Sequence, residues 1–189
     1  MEDDPQGRVA CETFVTTGLV LIGGEITTET YVDIPTVARN TVLDVGYNSS
    51  KYGFDGEDCA ILTSINEQSP DISHGVSQAQ EVRGGKSKNH YDELGAGDQG
   101  IVYGYSCRET RSLMPLPITL AHRLTKKLAE VRKTDRITHL RPDGKSQVTI
   151  EYEDGEPARA DTVIVAAQHD PELDEGKLEQ KLLRQVIKP

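Results

Sequence analysis

Alternating and helix-spaced apolar positions predict the order β-β-α-β in the first third of the chain. Residues 8–17 and 19–28 are rich in valine, isoleucine and threonine and are separated by a single glycine, which predicts a β-hairpin. Asp33 is a favourable N-cap for the next segment, where apolar residues recur at helical spacing until Gly46 ends the helix. Residues 59–65 are typical of a further strand.

The second half of the chain combines two predicted helices with two predicted strands. Residues 118–133 carry an apolar stripe and end in basic residues, which indicates an amphipathic helix whose dipole those bases stabilise. Residues 145–152 and 162–168 are predicted strands on either side of Asp154-Gly155, a strong hairpin turn. Leucines at helical spacing predict a last helix over residues 172–186.

The middle of the chain, residues 67–94, has almost no apolar periodicity. It is rich in glycine and polar residues and holds a basic run at Arg83, Lys86 and Lys88. A long segment of this kind inside a compact domain is usually functional or disordered, so a mobile loop is predicted. A short strand is predicted after the glycines that follow, over residues 101–105.

These elements predict an α+β fold, in which mixed or antiparallel sheets repeat along the chain with helices packed on one face. The predicted boundaries are a first α+β repeat over residues 1–67, the mobile loop over 68–94 and a second α+β repeat over 95–189. The two repeats have similar element orders but no convincing repeat of individual residues.

The chain is acidic, which narrows the range of its partners. Its 189 residues include 31 Asp and Glu against 21 Lys and Arg, a formal net charge of −10. This charge argues against non-specific nucleic-acid binding and against an anionic membrane surface, since both require a basic face. No apolar run is long enough to cross a bilayer. A phosphate ligand stays compatible, because local cations or a divalent metal can reverse the field inside a cleft.

The cysteines indicate a reducing compartment. Cys11, Cys59 and Cys107 are widely spaced and form no CxxC pattern, so zinc and redox motifs are not supported. Unpatterned cysteines are typical of buried thiols inside cells. Because the polar N-terminus has no signal-peptide pattern, a cytoplasmic location is expected.

The densest glycine motif is Gly95-Ala96-Gly97-Asp98-Gln99-Gly100. Its glycines let backbone amides approach a ligand, and Asp98 is able to hold ribose hydroxyls, an ammonium group or a hydrated metal. An ordinary turn between loop and strand explains the same residues equally well. Gly85-Lys86-Ser87 is not a P-loop, because Gln80 stands where the Walker pattern needs a glycine.

Four further charged residues admit two interpretations. Asp143 and Lys145 lie in a Pro-Gly turn before a strand. In isolation, that turn favours a structural role for the two residues. In the functional interpretation, the Asp143 carboxylate binds a ribose and the Lys145 ammonium binds a phosphate. Glu12 and Glu25 lie in apolar β runs. Acidic residues there usually face solvent, and one that points inward needs a cation partner.

Several segments occur together in a common order, and they extend over nearly the whole chain. They are Ala10-Cys11-Glu12-Thr13, Thr17-Gly18, Gly23-Gly24-Glu25-Ile26-Thr27-Thr28, Gln68-Ser69-Pro70-Asp71-Ile72, the hexapeptide from Gly95 to Gly100, Met114-Pro115-Leu116-Pro117, Ala121-His122-Arg123, Leu140-Arg141-Pro142-Asp143-Gly144-Lys145 and Gln168-His169. In this order they resemble the S-adenosylmethionine synthetase (methionine adenosyltransferase) family, and the hexapeptide is highly specific to it.

The resemblance implies a transferase that joins L-methionine to ATP. The methionine sulfur attacks the ribose 5′ carbon, and the whole triphosphate leaves and is then hydrolysed. A neutral thioether needs no general base, so catalysis would rest on alignment and on neutralising the polyphosphate with Mg²⁺, Lys and Arg. The resemblance also implies K⁺ as a second cofactor and a homodimer or dimer of dimers, with active sites between subunits.

On the methionine side of that site, the resemblance assigns three residues and a loop. Glu12 resembles the family's K⁺ ligand, and Glu25 and Gln68 resemble its methionine-binding pair. Residues 68–94 resemble the gating loop that closes over the site, and a lid of this kind excludes water and is able to limit turnover. Its interior, residues 77–94, departs from the usual family pattern.

On the nucleotide side, the resemblance assigns five residues. Asp98 resembles the aspartate that meets both nucleoside and methionine, and Ile72 resembles the residue that covers the adenine. Asp143, Gly144 and Lys145 resemble an ATP-binding segment with the lysine towards the phosphates. Asp98 and Lys145 are therefore the candidate catalytic residues.

Two parts of the family pattern lie outside this chain. The chain starts downstream of a Gly-His-Pro-Asp-Lys motif that supplies a phosphate-binding histidine and a Mg²⁺ aspartate, and it ends before a third repeat. The first repeat thus lacks its opening strand and helix. A fragment, a wrongly assigned start or a split subunit would each explain these differences. In each case we expect little or no synthetase activity from the chain alone. A non-catalytic nucleotide-binding or regulatory subunit of the same fold is the alternative.

Overall fold

Helices and strands are mixed along the chain. The computed structural model describes residues 2–86, 89–93 and 95–188. Within these ranges the strands form three small sheets, accompanied by helices, which confirms the α+β class predicted from the sequence. In the same ranges, no helix has both the length and the apolar character needed to cross a membrane.

The chain divides into two compact units. The first unit consists of Met1–Leu43 and Asn48–Tyr103, and the second consists of Asp44–Tyr47 and Gly104–Pro189.

A three-stranded mixed sheet forms the centre of the first unit. Strands β1 (Arg8–Thr16) and β2 (Leu19–Thr27) form the predicted antiparallel hairpin. The short strands β3 (Asn48–Ser49) and β4 (Phe54–Asp55) pair separately. Strand β5 (Ala60–Asn66) pairs in parallel with β2 and completes the order β1-β2-β5.

Helix α1 (Ile34–Val45) supplies part of the apolar core of the first unit. Its start is fixed as predicted, because the Thr36 backbone N–H donates to Asp33 Oδ1 at 3.2 Å and satisfies one orphan donor of the first turn. The core centres on Val20, Ile22 and Cys59, and the partly buried residues packed against it are Cys11, Ile34, Ala38, Val42, Phe54, Ile61 and Ile65.

The prediction of a loop without regular structure after β5 was wrong for much of that segment. Helices α2 (Pro70–Ser77) and α3 (Gln80–Arg83) form there, followed by a 3₁₀ turn at His90–Asp92. The Asp71 N–H donates to the Ser69 hydroxyl, and Pro70 occupies the first helical position. Such local capping starts a short helix without a long apolar period. Ser87, Lys88 and Leu94, which belong to the predicted loop, lie outside the described residues.

The strand predicted over residues 101–105 is absent from the structure. In the described part of the chain, no strand pairs with this segment. Ile101, Val102 and Tyr103 are 79%, 97% and 88% exposed. The prediction was wrong because β propensity reflects packing and pairing with a neighbour, which the sequence of the segment does not supply.

The second unit is built on a long β-hairpin and two helices. Helix α4 (Leu116–Lys133) precedes β6 (Leu140–Glu153) and β7 (Glu156–His169), which pair antiparallel. Helix α5 (Glu175–Leu182) follows and continues into a π-helical turn at Leu183–Ile187. Both predicted helices and both predicted strands of this half are confirmed.

Turn geometry and one apolar cluster hold the second unit together. Asp154 and Gly155 have φ values of 50° and 82°, which is the left-handed pair that a two-residue type I′ hairpin turn needs. The apolar cluster joins α4, the hairpin and the last helix, and its buried members are Leu128, Val131, Ile137, Leu140, Leu178, Leu182 and Val186.

Candidate functional site

Both acidic residues of the predicted methionine side lie on one face of the first sheet. Val20 and Ile22 point into the core with α1, so the alternation of side chains along β2 directs Glu25 to the opposite face. Glu12 pairs with Gly23 across β1 and β2, and it therefore lies on the same face as Glu25. This face, opposite α1, carries the two carboxylates and is called the open face below.

Gln68 is fixed at the end of the sheet where Glu25 lies. Its backbone N–H donates to Thr27 Oγ1 at 3.1 Å, and its side-chain Oε1 accepts from Arg8 Nε at 2.9 Å. Arg8 is the register partner of Thr27, two residues beyond Glu25 on the same face. The structure therefore brings Glu25 and Gln68 to the same end of the open face.

Sequence reasoning did not identify Arg8 as part of the candidate site. It is separated from Gln68 by 60 residues, so no local pattern connects the two. One signal was available: Arg8 shares the alternation of Glu12 on β1, which marks it as a cation on the acidic face of the predicted strand.

The glycine hexapeptide packs against helix α2. The Gly95 N–H donates to the Val76 carbonyl at 2.9 Å, and a Cβ atom at Gly97 would lie only 3.2 Å from Ile72 Cγ2. This contact brings Ile72, itself 40% exposed, next to the motif that contains Asp98. The Asp98 carboxylate is exposed and accepts the Gln99 N–H at 2.7 Å. An apolar side chain and an exposed carboxylate thus meet at one motif.

The predicted Asp-Gly-Lys segment lies at the start of β6 in the second unit. Gly144 faces inward, and a Cβ atom there would lie 2.6 Å from Leu128 Cδ2, so the glycine allows the strand to approach α4 closely. Asp143 and Lys145 flank it and are exposed. Because successive side chains of a strand point to opposite faces, Lys145, which follows Gly144 in the regular ladder, is directed away from α4.

The carboxylate of Asp143 has an electrostatic effect on a neighbouring phenol. Burial raises the pKa of Tyr47, and the negative charge of Asp143 raises it further, while Arg132 acts in the opposite direction. Since a second negative charge beside Asp143 is unfavourable, this environment keeps Tyr47 neutral.

The charged residues beside that segment form a compact cluster. Asp170 Oδ1 accepts from Arg141 Nε at 2.6 Å, and its Oδ2 accepts from Arg141 Nη2. His139 Nδ1 lies 3.1 Å from the same Oδ2. Hydrogen bonds from Arg141, and then from His139, hold the pKa of Asp170 below its usual range. Sequence reasoning did not identify Asp170 as a member of this cluster.

The predicted site residues fall into both units. Glu12, Glu25, Gln68, Ile72 and Asp98 belong to the first unit, and Asp143, Gly144 and Lys145 belong to the second. Among the residues that the structure describes, no group of three or more His, Cys, Asp and Glu side chains is arranged to hold a metal ion.

Fold and motif order together define a chain of two successive α+β domains. The N-terminal domain of S-adenosylmethionine synthetase matches residues 1–70, and the central domain of the same enzyme matches residues 93–189. The chain therefore belongs to the S-adenosylmethionine synthetase family. Membership implies a role in S-adenosylmethionine synthesis and the transferase class of the methionine adenosyltransferases.

Proposed function

We propose that this chain takes part in making S-adenosylmethionine from ATP and L-methionine. The observation that carries the proposal is the placement of Glu25 and Gln68 at one end of the open face, in a chain that belongs to this family. The methionine sulfur donates a lone pair to the ribose 5′ carbon, and the bond from that carbon to the triphosphate oxygen breaks. The triphosphate departs with the electron pair, and water then hydrolyses it.

Glu25 and Gln68 have complementary chemistry for a zwitterionic amino acid. The Glu25 carboxylate is able to accept hydrogen bonds from the α-ammonium group of methionine. Because Arg8 Nε already donates to Gln68 Oε1, the Gln68 amide is oriented with its NH₂ group away from Arg8. That NH₂ group is a donor for the α-carboxylate. In this proposal, Arg8 fixes the orientation of the amide.

Ile72 and Asp98 suit the nucleoside part of ATP. The half-exposed Ile72 side chain offers an apolar surface for a purine ring. The exposed Asp98 carboxylate is able to accept hydrogen bonds from ribose hydroxyls, and it favours the positive charge that forms on sulfur in the reaction.

Asp143 and Lys145 suit the ribose and the phosphates. Both side chains are exposed, and Lys145 lies on the face of β6 directed away from α4. The Lys145 ammonium is a point charge for a phosphate oxygen, and it would stabilise the negative charge of the departing triphosphate. Asp143 would accept from ribose.

We propose that Mg²⁺ binds together with the triphosphate of ATP and that K⁺ binds at the open face. Glu12 is an exposed carboxylate on that face, in register with Gly23 and Ser64, and hard cations prefer such oxygen ligands. Since the described residues contain no group of three or more His, Cys, Asp and Glu side chains that could hold a metal ion, they would contribute at most two such side chains to one ion. Bound Mg²⁺ would neutralise triphosphate charge.

The three free thiols fit the proposed cytoplasmic location.

A homodimer is also part of the proposal. Phe14, Leu21 and Leu62 form one cross-strand row on the open face, and they are 60%, 37% and 53% exposed. A second copy that covers this row would remove apolar surface from water. It would also enclose the carboxylates of the same face between two subunits.

Isothermal titration calorimetry tests the substrate assignment. We expect the chain to bind L-methionine, and Glu25→Gln to weaken that binding by about tenfold or more, because a charged partner of the ammonium is lost. Glu57→Gln, which changes an exposed acid in the loop between β4 and β5, is the control. Unchanged methionine binding by Glu25→Gln would contradict the assignment.

A further inference from the structure

Strand β6 is irregular where the proposed ATP-binding segment begins. Leu140 pairs with His169, and the next register pair is Gly144 with Ala167. Three residues of β6 therefore lie opposite a single residue of β7, as in a β-bulge. Pro142, inside this bulge, has no N–H to give to the ladder. The strand ladder alone does not determine where Asp143 points.

Asp170, which directly follows the end of β7, restrains the backbone at the start of this bulge. Its carboxylate accepts both Nε and Nη2 of Arg141 in a bidentate pair and lies 3.1 Å from His139 Nδ1. Its backbone N–H donates to the His139 carbonyl at 3.0 Å. Asp170 thus bonds to residues on both sides of Leu140 and holds the chain that enters the bulge.

The Arg141–Asp170 pair is better protected than the other ion pairs of the hairpin. The side chains of Arg141 and Asp170 are 22% and 19% exposed. By contrast, Arg159 and Glu151, paired farther along the same hairpin, are 60% and 44% exposed. A bidentate pair that is partly withdrawn from water has a defined geometry, whereas an exposed pair contributes little.

We propose that Asp170, acting through Arg141, is a positioning residue that holds Asp143 and Lys145 in the orientation needed for ATP. This inference rests on the proposed function. Arg141 precedes Asp143 by two residues, and both lie in the bulge with Pro142 between them. A bulge re-aims the side chains within it and those that leave it, so fixing its first residue fixes the direction of Asp143 and the entry of the chain to Lys145. Neither Asp170 nor Arg141 needs to touch the nucleotide.

Calorimetry with Mg²⁺ and a non-hydrolysable ATP analogue, adenylyl imidodiphosphate, tests the proposal. Asp170→Asn removes the charge and one acceptor of the bidentate pair, and we expect the analogue Kd to rise on the order of tenfold, as for other supporting residues around a site. We expect L-methionine affinity to stay unchanged. Asp170→Glu restores a carboxylate and should recover part of the lost affinity.

The matched control is Asp161→Asn. Asp161 lies on β7 and pairs with Arg159 at 3.2 Å, so this variant removes an acidic partner from the same hairpin without reaching the bulge. We expect it to bind the analogue like the unchanged chain. A loss in Asp161→Asn equal to that in Asp170→Asn, or an unchanged analogue Kd in Asp170→Asn, would overturn the positioning role.

Amide hydrogen exchange without ligand separates this proposal from the proposed function. We expect Asp170→Asn to speed exchange over residues 141–145, while exchange in α4 stays near that of the unchanged chain. If the unchanged chain binds no analogue, the nucleotide assignment fails, and the exchange data alone decide whether Asp170 holds the segment. Unchanged exchange over residues 141–145 would overturn the proposal in either case.

Discussion

At the scale of single residues, one arginine secures the loop between β4 and β5. Arg39 Nη1 donates to the Glu57 carbonyl at 2.8 Å and to the Gly56 carbonyl, and its Nη2 donates to the Cys59 carbonyl at 3.3 Å. One guanidinium therefore satisfies three backbone acceptors, which its planar fork of donors is well suited to do. Cys59 belongs to the core of the first unit, so this contact joins a loop to α1 and to the core.

We expect Arg39→Met to destabilise the chain by about 2 kcal/mol, because the three carbonyls lose a charged donor while the apolar stem is retained. Chemical denaturation measures this difference. Lys51→Met, which removes an exposed cation from a nearby turn, serves as the control and should change stability little. Equal stabilities of the two variants would show that the Arg39 contacts contribute nothing.

A second residue-scale test concerns the hexapeptide. A Cβ atom at Gly95 would overlap the Gly75 carbonyl oxygen, whereas one at Gly100 would meet nothing within 4 Å. Gly95→Ala must therefore displace backbone in α2 or break the bond from the Gly95 N–H to the Val76 carbonyl. We expect a local cost of about 1–3 kcal/mol, seen as faster amide exchange in α2 and the motif. Comparable exchange in Gly95→Ala and Gly100→Ala would contradict the close packing.

At the scale of elements, the start of α4 depends on a carboxylate outside the helix. Glu109 Oε2 accepts the Leu116 N–H at 2.8 Å and the Tyr152 hydroxyl at 2.7 Å, so it links the first turn of α4 to the end of β6. These bonds hold the pKa of Glu109 below its ordinary value of 4.5. The hydrogen bond between the Tyr152 hydroxyl and Glu109 raises the pKa of Tyr152 to about 12.

The direction of these shifts gives a pH-dependent stability. Because the folded pKa of Glu109 lies below 4.5, its contribution is present above that value and is lost as the pH falls through the folded pKa. We expect Glu109→Gln to be less stable than the unchanged chain at neutral pH, and the difference to shrink in acid. Thermal unfolding across this range measures it, with the exposed Glu153→Gln as control. A difference that stays constant with pH would refute the role of the Glu109 charge.

Elements with local determinants could be predicted from the sequence, and the others could not. The Asp33 cap fixed α1 and the Asp154-Gly155 turn fixed the long hairpin, since both signals act within a few residues. The β-rich residues 101–105 carry no information about a partner strand, and the prediction of a strand there was wrong.

For the candidate site, motif resemblance supplied Glu25, Gln68 and Asp98. Arg8 and Asp170 escaped prediction because their partners are 60 and 29 residues away.

At the scale of the whole molecule, the proposed dimer depends on one apolar row on an acidic chain. Phe14→Lys places a charge in the middle of that row, and burying an unpaired ammonium between subunits is costly. We expect this variant to shift the population towards monomer in sedimentation velocity. Val15→Lys is the matched control, because Val15 is 56% exposed on the same strand and points to the opposite face.

The net charge adds a second, independent expectation for the same association. Two chains that each carry a formal charge of −10 repel each other, and salt screens that repulsion over about 10 Å at 0.1 M. The unchanged chain should therefore associate more strongly as ionic strength rises, since its proposed contact is apolar and not an ion pair. Phe14→Lys should stay largely monomeric at every salt concentration. If Phe14→Lys and Val15→Lys reduce association equally, or if salt dissociates the dimer, the open face is not the contact between subunits.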